Sequence, residues 1–227
     1  MASPFAFISS LLEPPAGASF VQGEAPVIDL DRHVTQHALG MITSHGDSVD
    51  SICLRYFELV EKWMPVVDRE YLFKRLGTLV AMPSASFSSL LLAICVFTQA
   101  STDRLDPRYY MVKVFLSLLQ SSGRLSEEVV QAQLLVAMYE FSQSLYENAV
   151  LSVGICARVG LSMGLHRTLD SRTPVGDMPS KDTERKRRIW WCVIIFERCG
   201  LLFPPHLLFT LPDGERWTIH FQQADVF

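Results

Sequence analysis

Between Asp47 and Arg198 the chain carries one helical signal after another, each with its own start and stop. Apolar residues recur every three or four positions, as at Ile52, Tyr56, Leu59, Val60 and Trp63, so each stretch can bury one side of a helix. No convincing run alternates apolar with polar residues, and no Asn-Gly pair offers a hairpin turn. Asp47 or Ser48 can accept the first free amide protons of the opening helix, and Pro65 closes it. The next helix spans Asp68 to Leu79, and Pro83-Ser84 marks the following break.

Ser86 or Ser88 precedes an apolar helix through Leu91, Leu92, Cys95 and Val96, which is hydrophobic nearly all round and therefore central. Pro107 opens another helix at its tolerated first-turn position, and Gly123 ends it. Ser126-Glu127-Glu128 is a further start signal, a capping hydroxyl followed by two acids at the positive end of the helix. After Ser144 a long helix puts Tyr146, Ala149, Val150, Val153, Ala157, Gly160 and Leu161 on one face. Each glycine inside a helix costs about 1 kcal/mol relative to alanine. Gly154, Gly160 and Gly164, with Ala157, are therefore expected to let another backbone approach closely. The fold class is all-α, about seven helices packed as antiparallel pairs.

Residues 1–48 mix Pro, Gly, Ser and His without sustained periodicity, and are expected to be a linker or loosely ordered arm with at most a short turn near Asp29 to Leu39. The all-α domain is expected at 49–198, followed by a separate tail at 199–227. At 227 residues and 49% hydrophobic content, the chain can bury one substantial core or two small ones. A formal charge of −4 argues against binding nucleic acid through a generally basic surface. Five cysteines (Cys53, Cys95, Cys156, Cys192 and Cys199) sit mostly in apolar stretches and form no C-x-x-C pair, as suits free thiols in a reducing compartment. Phe5 to Leu12 is apolar but lacks a basic start, and Leu90 to Phe97 is too short to span a bilayer.

The segment from Tyr146 closes a small-residue helix on Gly164-Leu-His-Arg167. A polar loop leads to Glu184-Arg-Lys-Arg-Arg-Ile-Trp-Trp-Cys-Val-Ile-Ile-Phe-Glu-Arg198. This order resembles the regulatory middle domain of fungal zinc-cluster transcription factors. Leu54 to Phe73, an aromatic-rich helix meeting a proline and a second aromatic helix, is similar to that family's opening segment. The resemblance covers roughly Ser51 to Arg198. It implies a transcription regulator acting in the nucleus, in a family often found in secondary-metabolite gene clusters. Family members normally carry a six-cysteine zinc module that reads DNA, and no cysteine lies in the first fifty residues here. After Arg198 the sequence departs from the family pattern, so 199–227 is expected to be a divergent tail of a truncated protein or gene model.

Gly160, Gly164, Leu165, His166, Arg167, Trp190 and Trp191 are the signature positions, expected to give structural support, with both tryptophans as core anchors. His166 and Arg167 are placed to donate to the last carbonyls of the long helix. Arg185, Lys186, Arg187 and Arg188 could form a nuclear-import signal or a phosphate-binding patch. The favoured reading is a solvated first turn with Asp182 and Glu184 as acidic partners. His33 and His37 have the spacing of helical metal ligands, with His45 further on, but no third firm ligand supports a metal site. No catalytic motif and no cofactor fingerprint occurs, so no catalytic, cofactor or metal residue is assigned. The expected partner is a protein, a transcription regulator or co-regulator, without sequence-specific DNA binding or membrane contact by this chain alone. The alternatives are a helical interaction or small-ligand module, with Trp63, Phe115, Tyr139 and Trp190 lining a groove for an apolar effector, and a non-functional remnant.

Overall fold

In a computed structural model of the protein, residues 29–44, 46–62, 64–99, 105–170 and 180–202 are described, and they form nine helices and no strand. These are α1 (Leu30–Thr43), α2 (Val49–Leu59), α3 (Arg69–Thr78), α4 (Ala85–Thr98) and α5 (Pro107–Ser121). Then follow α6 (Glu127–Ser142), α7 (Tyr146–Ser162), the single-turn α8 (Arg167–Asp170) and α9 (Lys181–Leu202). Side chains of Ser48, Asp68, Ser84, Asp106 and Ser126 accept the first free amides of α2 to α6.

Capping chemistry thus fixes where these helices begin, with some shifts from expectation. Ser48 takes the cap of α2, while Asp47 accepts from Gln99 and pairs with Arg55 instead. Ser84 starts α4 earlier than Ser86 or Ser88 would, and Ser88 is buried in a 2.8 Å hydrogen bond with Thr35. α2 ends at Leu59, before Pro65 is reached.

α4 is buried almost all round and packs against α1, α2, α5 and α6. α6 is buried from Glu128 to Phe141 and lies between α4 and α5 on one side and α7 and α9 on the other. Its polar side chains are used as pegs, because a buried polar group without a partner is costly. Tyr71 donates to Glu128 at 2.6 Å, Gln131 donates to the Val66 carbonyl at 2.7 Å, and Gln120 donates to Gln133 at 3.1 Å. Glu140 accepts from the Tyr109 hydroxyl at 2.6 Å and from Lys113 at 2.7 Å.

One boundary needs correction. The arm expected at 1–48 is, from Asp29 on, part of the fold: Asp29 caps α1, and Val34, Ala38 and Ile42 are fully buried. The three are four residues apart, but histidines, a glycine and charged neighbours diluted the signal. The Asp31 carboxylate also accepts the Ala85 amide at 2.7 Å, so α1 helps to start α4.

α5, α6 and α7 end alike. Gly123, Ser144 and Gly164 take positive φ values of 70, 58 and 73°. The next amide then reaches back to the carbonyl five residues before it, at 2.9 Å (Leu119), 2.8 Å (Glu140) and 2.9 Å (Gly160). Only Ser144 carries a Cβ in this left-handed conformation. Ser144→Gly is therefore expected to stabilise the protein by about 1 kcal/mol, read as a raised urea midpoint with unchanged slope.

Candidate functional site

The signature residues meet where α7 runs into α8 and both lie against α9. Gly160 faces Trp190: a Cβ at position 160 would sit 2.8 Å from Cζ3 and 3.1 Å from Cε3 of that indole, and 3.5 Å from Leu165 Cδ1. Trp190 is only 7% exposed, and the His166 ring meets its edge with centroids 6.1 Å apart. Ile189 and Val193 of α9 and Leu165 of the turn complete this buried joint. Gly160 is the one glycine of this stretch whose missing side chain lets the neighbouring helix in. At Gly154 a Cβ would touch only Arg158, at 3.8 Å, and at Gly164 only Arg167, at 3.7 Å. Gly164 serves the turn by its positive φ instead.

Several expected roles change. The carbonyls of Gly160 and Leu161 accept the main-chain amides of Leu165 and Gly164, so these two carbonyls are satisfied within the turn itself. His166 Nδ1 is buried without a hydrogen-bond partner among the described residues, and Arg167 is exposed at the start of α8. Trp191 is not a core anchor: it is 49% exposed. On α9 Ile189, Trp190, Cys192 and Val193 are buried, and the outward side of the helix passes through Trp191 and Ile195. On α7, Ala149, Val153, Cys156, Ala157 and Gly160 are buried, whereas Val150 and Leu161 face outward. The inward stripe of small residues is narrower than the sequence suggested.

Trp191 borders an apolar cleft of about 160 Å³ lined by Met64, Pro65, Arg188, Cys192, Ile195 and Phe196. No sequence signal joined Met64 and Pro65 to a helix more than a hundred residues later. Of the residues expected to line a groove, Phe115, Tyr139 and Trp190 are packed inside, and Trp63 lies outside the described residues.

The basic run is woven into the fold. Arg185 pairs with Glu127 at 2.7 Å and with Asp182, and its guanidinium lies 4.4 Å over the Tyr71 ring. Lys186 reaches Asp182 and Glu127, and Arg187 reaches Glu184 and the Thr168 carbonyl. Arg188 pairs with Asp68 at 3.4 Å and Glu184 at 3.8 Å. The expected partners Asp182 and Glu184 are in place, and Glu127 of α6 and Asp68 of the α3 cap join them. Each of the four cations therefore has an acid within 4.0 Å, and the run clamps α9 to α6 and α3. Burial alone would lower the Arg185 pKa, but Glu127 and Asp182 outweigh it and the net direction is upward. The hydrogen bond from Lys186 is the largest influence holding the Asp182 carboxyl below its usual range.

Cys53, Cys95, Cys156 and Cys192 are free and buried; the Cys199 side chain lies outside the description. Burial pushes the Cys53 thiol up to about 12 and those of Cys95 and Cys192 to about 11, against an ordinary 9.0. Each folded pKa exceeds the unfolded one, so this contribution to stability is complete below 9.0 and is lost as pH climbs toward 11 and 12. Unfolding free energies from urea titrations are expected to fall between about pH 9 and pH 11, with a limiting slope of roughly 1.4 kcal/mol per pH unit for each ionising thiol. In the native protein these thiols should resist a thiol-titrating disulfide reagent and react after denaturation.

His33 contacts the Asp29 carbonyl through Nδ1 at 2.9 Å, and burial followed by the neighbouring His33 lowers the His37 pKa. His45 lies outside the described residues, among which no group of three His, Cys, Asp or Glu side chains could hold a metal ion. Among them, too, no helix is long and apolar enough to cross a membrane.

The family model described as the fungal specific transcription factor domain matches residues 54–201, which contain this joint, the cleft and the clamp. Transcription factor BOA15 of Botryotinia fuckeliana (strain B05.10) is 29% identical over 128 residues, covering 55% of this chain and 72% of that protein. No solved structure matches the chain. The chain belongs to the fungal specific transcription factor domain family, and its role is in the regulation of transcription.

Proposed function

We propose that the chain acts in the nucleus by binding a partner transcription regulator, and that it neither reads DNA sequence nor catalyses a reaction itself. The observation that carries this reading is the clamp at Arg185 to Arg188, where every cation is already engaged by an acid of the same chain. Phosphate binding at this run would have to break those pairs, which weakens its contribution to any affinity for DNA. Trp191 and Ile195 instead stand outward at an apolar cleft, and half-exposed tryptophan is a frequent anchor of protein interfaces. A small-molecule module is less well supported, since about 160 Å³ is well below the roughly 300–1,000 Å³ of pockets that hold drug-sized ligands.

Fluorescence anisotropy of a labelled duplex titrated with the protein at physiological salt tests the DNA half of the proposal. Binding weaker than about 100 µM on any sequence is expected. Sequence-dependent binding near 10 nM would contradict it.

A further inference from the structure

We propose that the outward face of α7 is a contact between two copies of this chain, paired antiparallel about a twofold axis. The proposal is independent of the functional reading above and rests on the pattern of that face. Glu147, Leu151, Gly154, Arg158 and Leu161 follow one another at steps of four, three, four and three residues, the spacing that keeps side chains on one seam between paired helices. Leu151 is 64% exposed and Leu161 49%, with Val150 beside them at 45%. Three exposed apolar side chains on one helix face, flanked by an acid and a base, form a patch that a partner helix could cover.

The stripe is complementary to itself when reversed. Rotation about the point midway between Ser152 and Val153 brings Glu147 to Arg158 of the second copy. The same rotation brings Leu151 to Gly154 of the second copy. Acid then meets base and a large side chain meets a notch, each twice, as an isologous interface requires. A parallel pairing in register would set Glu147 against Glu147, Arg158 against Arg158 and Gly154 against Gly154, so charge selects the antiparallel arrangement.

The components are available for this contact. Glu147 and Arg158 are exposed, and neither has a hydrogen bond or ion pair among the described residues. A Cβ at Gly154 would meet only the Arg158 guanidinium, at 3.8 and 3.9 Å, so one flexible side chain covers the notch. Moving it toward Glu147 of the second copy would open the notch and form the pair together. One helix pair about 25 Å long is a small interface, so a dimer with a Kd between about 1 and 100 µM is expected.

Sedimentation equilibrium of the full chain across that concentration range tests the proposal. Wild type should show a monomer–dimer equilibrium. Glu147→Arg and Arg158→Glu should each raise the Kd at least about tenfold, because each turns both symmetric ion pairs into like-charge contacts. The double exchange should restore the wild-type value, since it pairs opposite charges again. Far-UV circular dichroism verifies that the variants stay folded. A chain monomeric throughout, a dimer indifferent to the single exchanges, or a double exchange that stays dissociated would each overturn the proposal.

Discussion

Gly160→Leu is expected to cost at least about 3 kcal/mol of unfolding free energy, a large share of the roughly 5–15 kcal/mol that holds a typical domain together. The cause is local: a single methyl carbon at this position already lies 2.8 Å from the buried Trp190 ring, inside normal contact distance. The indole cannot retreat easily, because the His166 ring meets its edge and it is nearly wholly buried. Even Gly160→Ala should destabilise, by about 1–3 kcal/mol, although alanine is the better helix former by about 1 kcal/mol. Gly40→Ala in α1 supplies the contrast. Nothing lies within 4 Å of a Cβ there, so the ordinary helical gain of about 1 kcal/mol should appear. Urea unfolding of the three variants measures both signs. An unchanged midpoint for Gly160→Leu would contradict the close packing of α7 on α9.

Glu140→Ala should be the second large loss, about 2–3 kcal/mol. Glu140 is completely buried in α6, where one oxygen accepts from both Tyr109 and Lys113 and the other has no hydrogen-bond partner among the described residues. Removing the carboxylate leaves a void and takes away the acceptor of the buried Tyr109 hydroxyl, which still accepts from Lys113 at 3.3 Å. The Lys113 charge is 38% exposed and can recover water, so its share of the cost is discounted. Chemical denaturation measures the loss. A loss below about 0.5 kcal/mol would mean that the Glu140 network adds little to the anchoring of α5 on α6.

The all-α architecture was legible because its signals are local. Hydroxyl and carboxylate caps, an apolar run for α4 and a glycine after α5 act within a few residues of themselves, and the chain obeys them. α1 was missed because its three buried residues are thinly spread among polar ones, so burial by α4 rather than local preference secures it. Trp191 was misplaced because a Trp-Trp pair suggests one core, whereas helical rotation sends the second ring outward. Glu127 shows the remaining limit. It is readable as an acid at a helix start, but its pairing with Arg185 spans 58 residues and depends on how α9 crosses α6. The same holds for the cleft, which exists only once Met64 and Pro65 have been brought to α9.

We propose above that this domain works through a protein partner, with the face at Trp191 as the anchor. Affinity capture of the tagged protein from nuclei of the cells that express it, run beside Trp191→Asp, distinguishes a partnered domain from an unpartnered one. Trp191 is half exposed, so the substitution should leave the fold intact by circular dichroism. A zinc-cluster transcription regulator is expected to co-purify with wild type and to be lost with the variant. The absence of any transcription regulator among the captured proteins, or its retention by Trp191→Asp, would contradict the account.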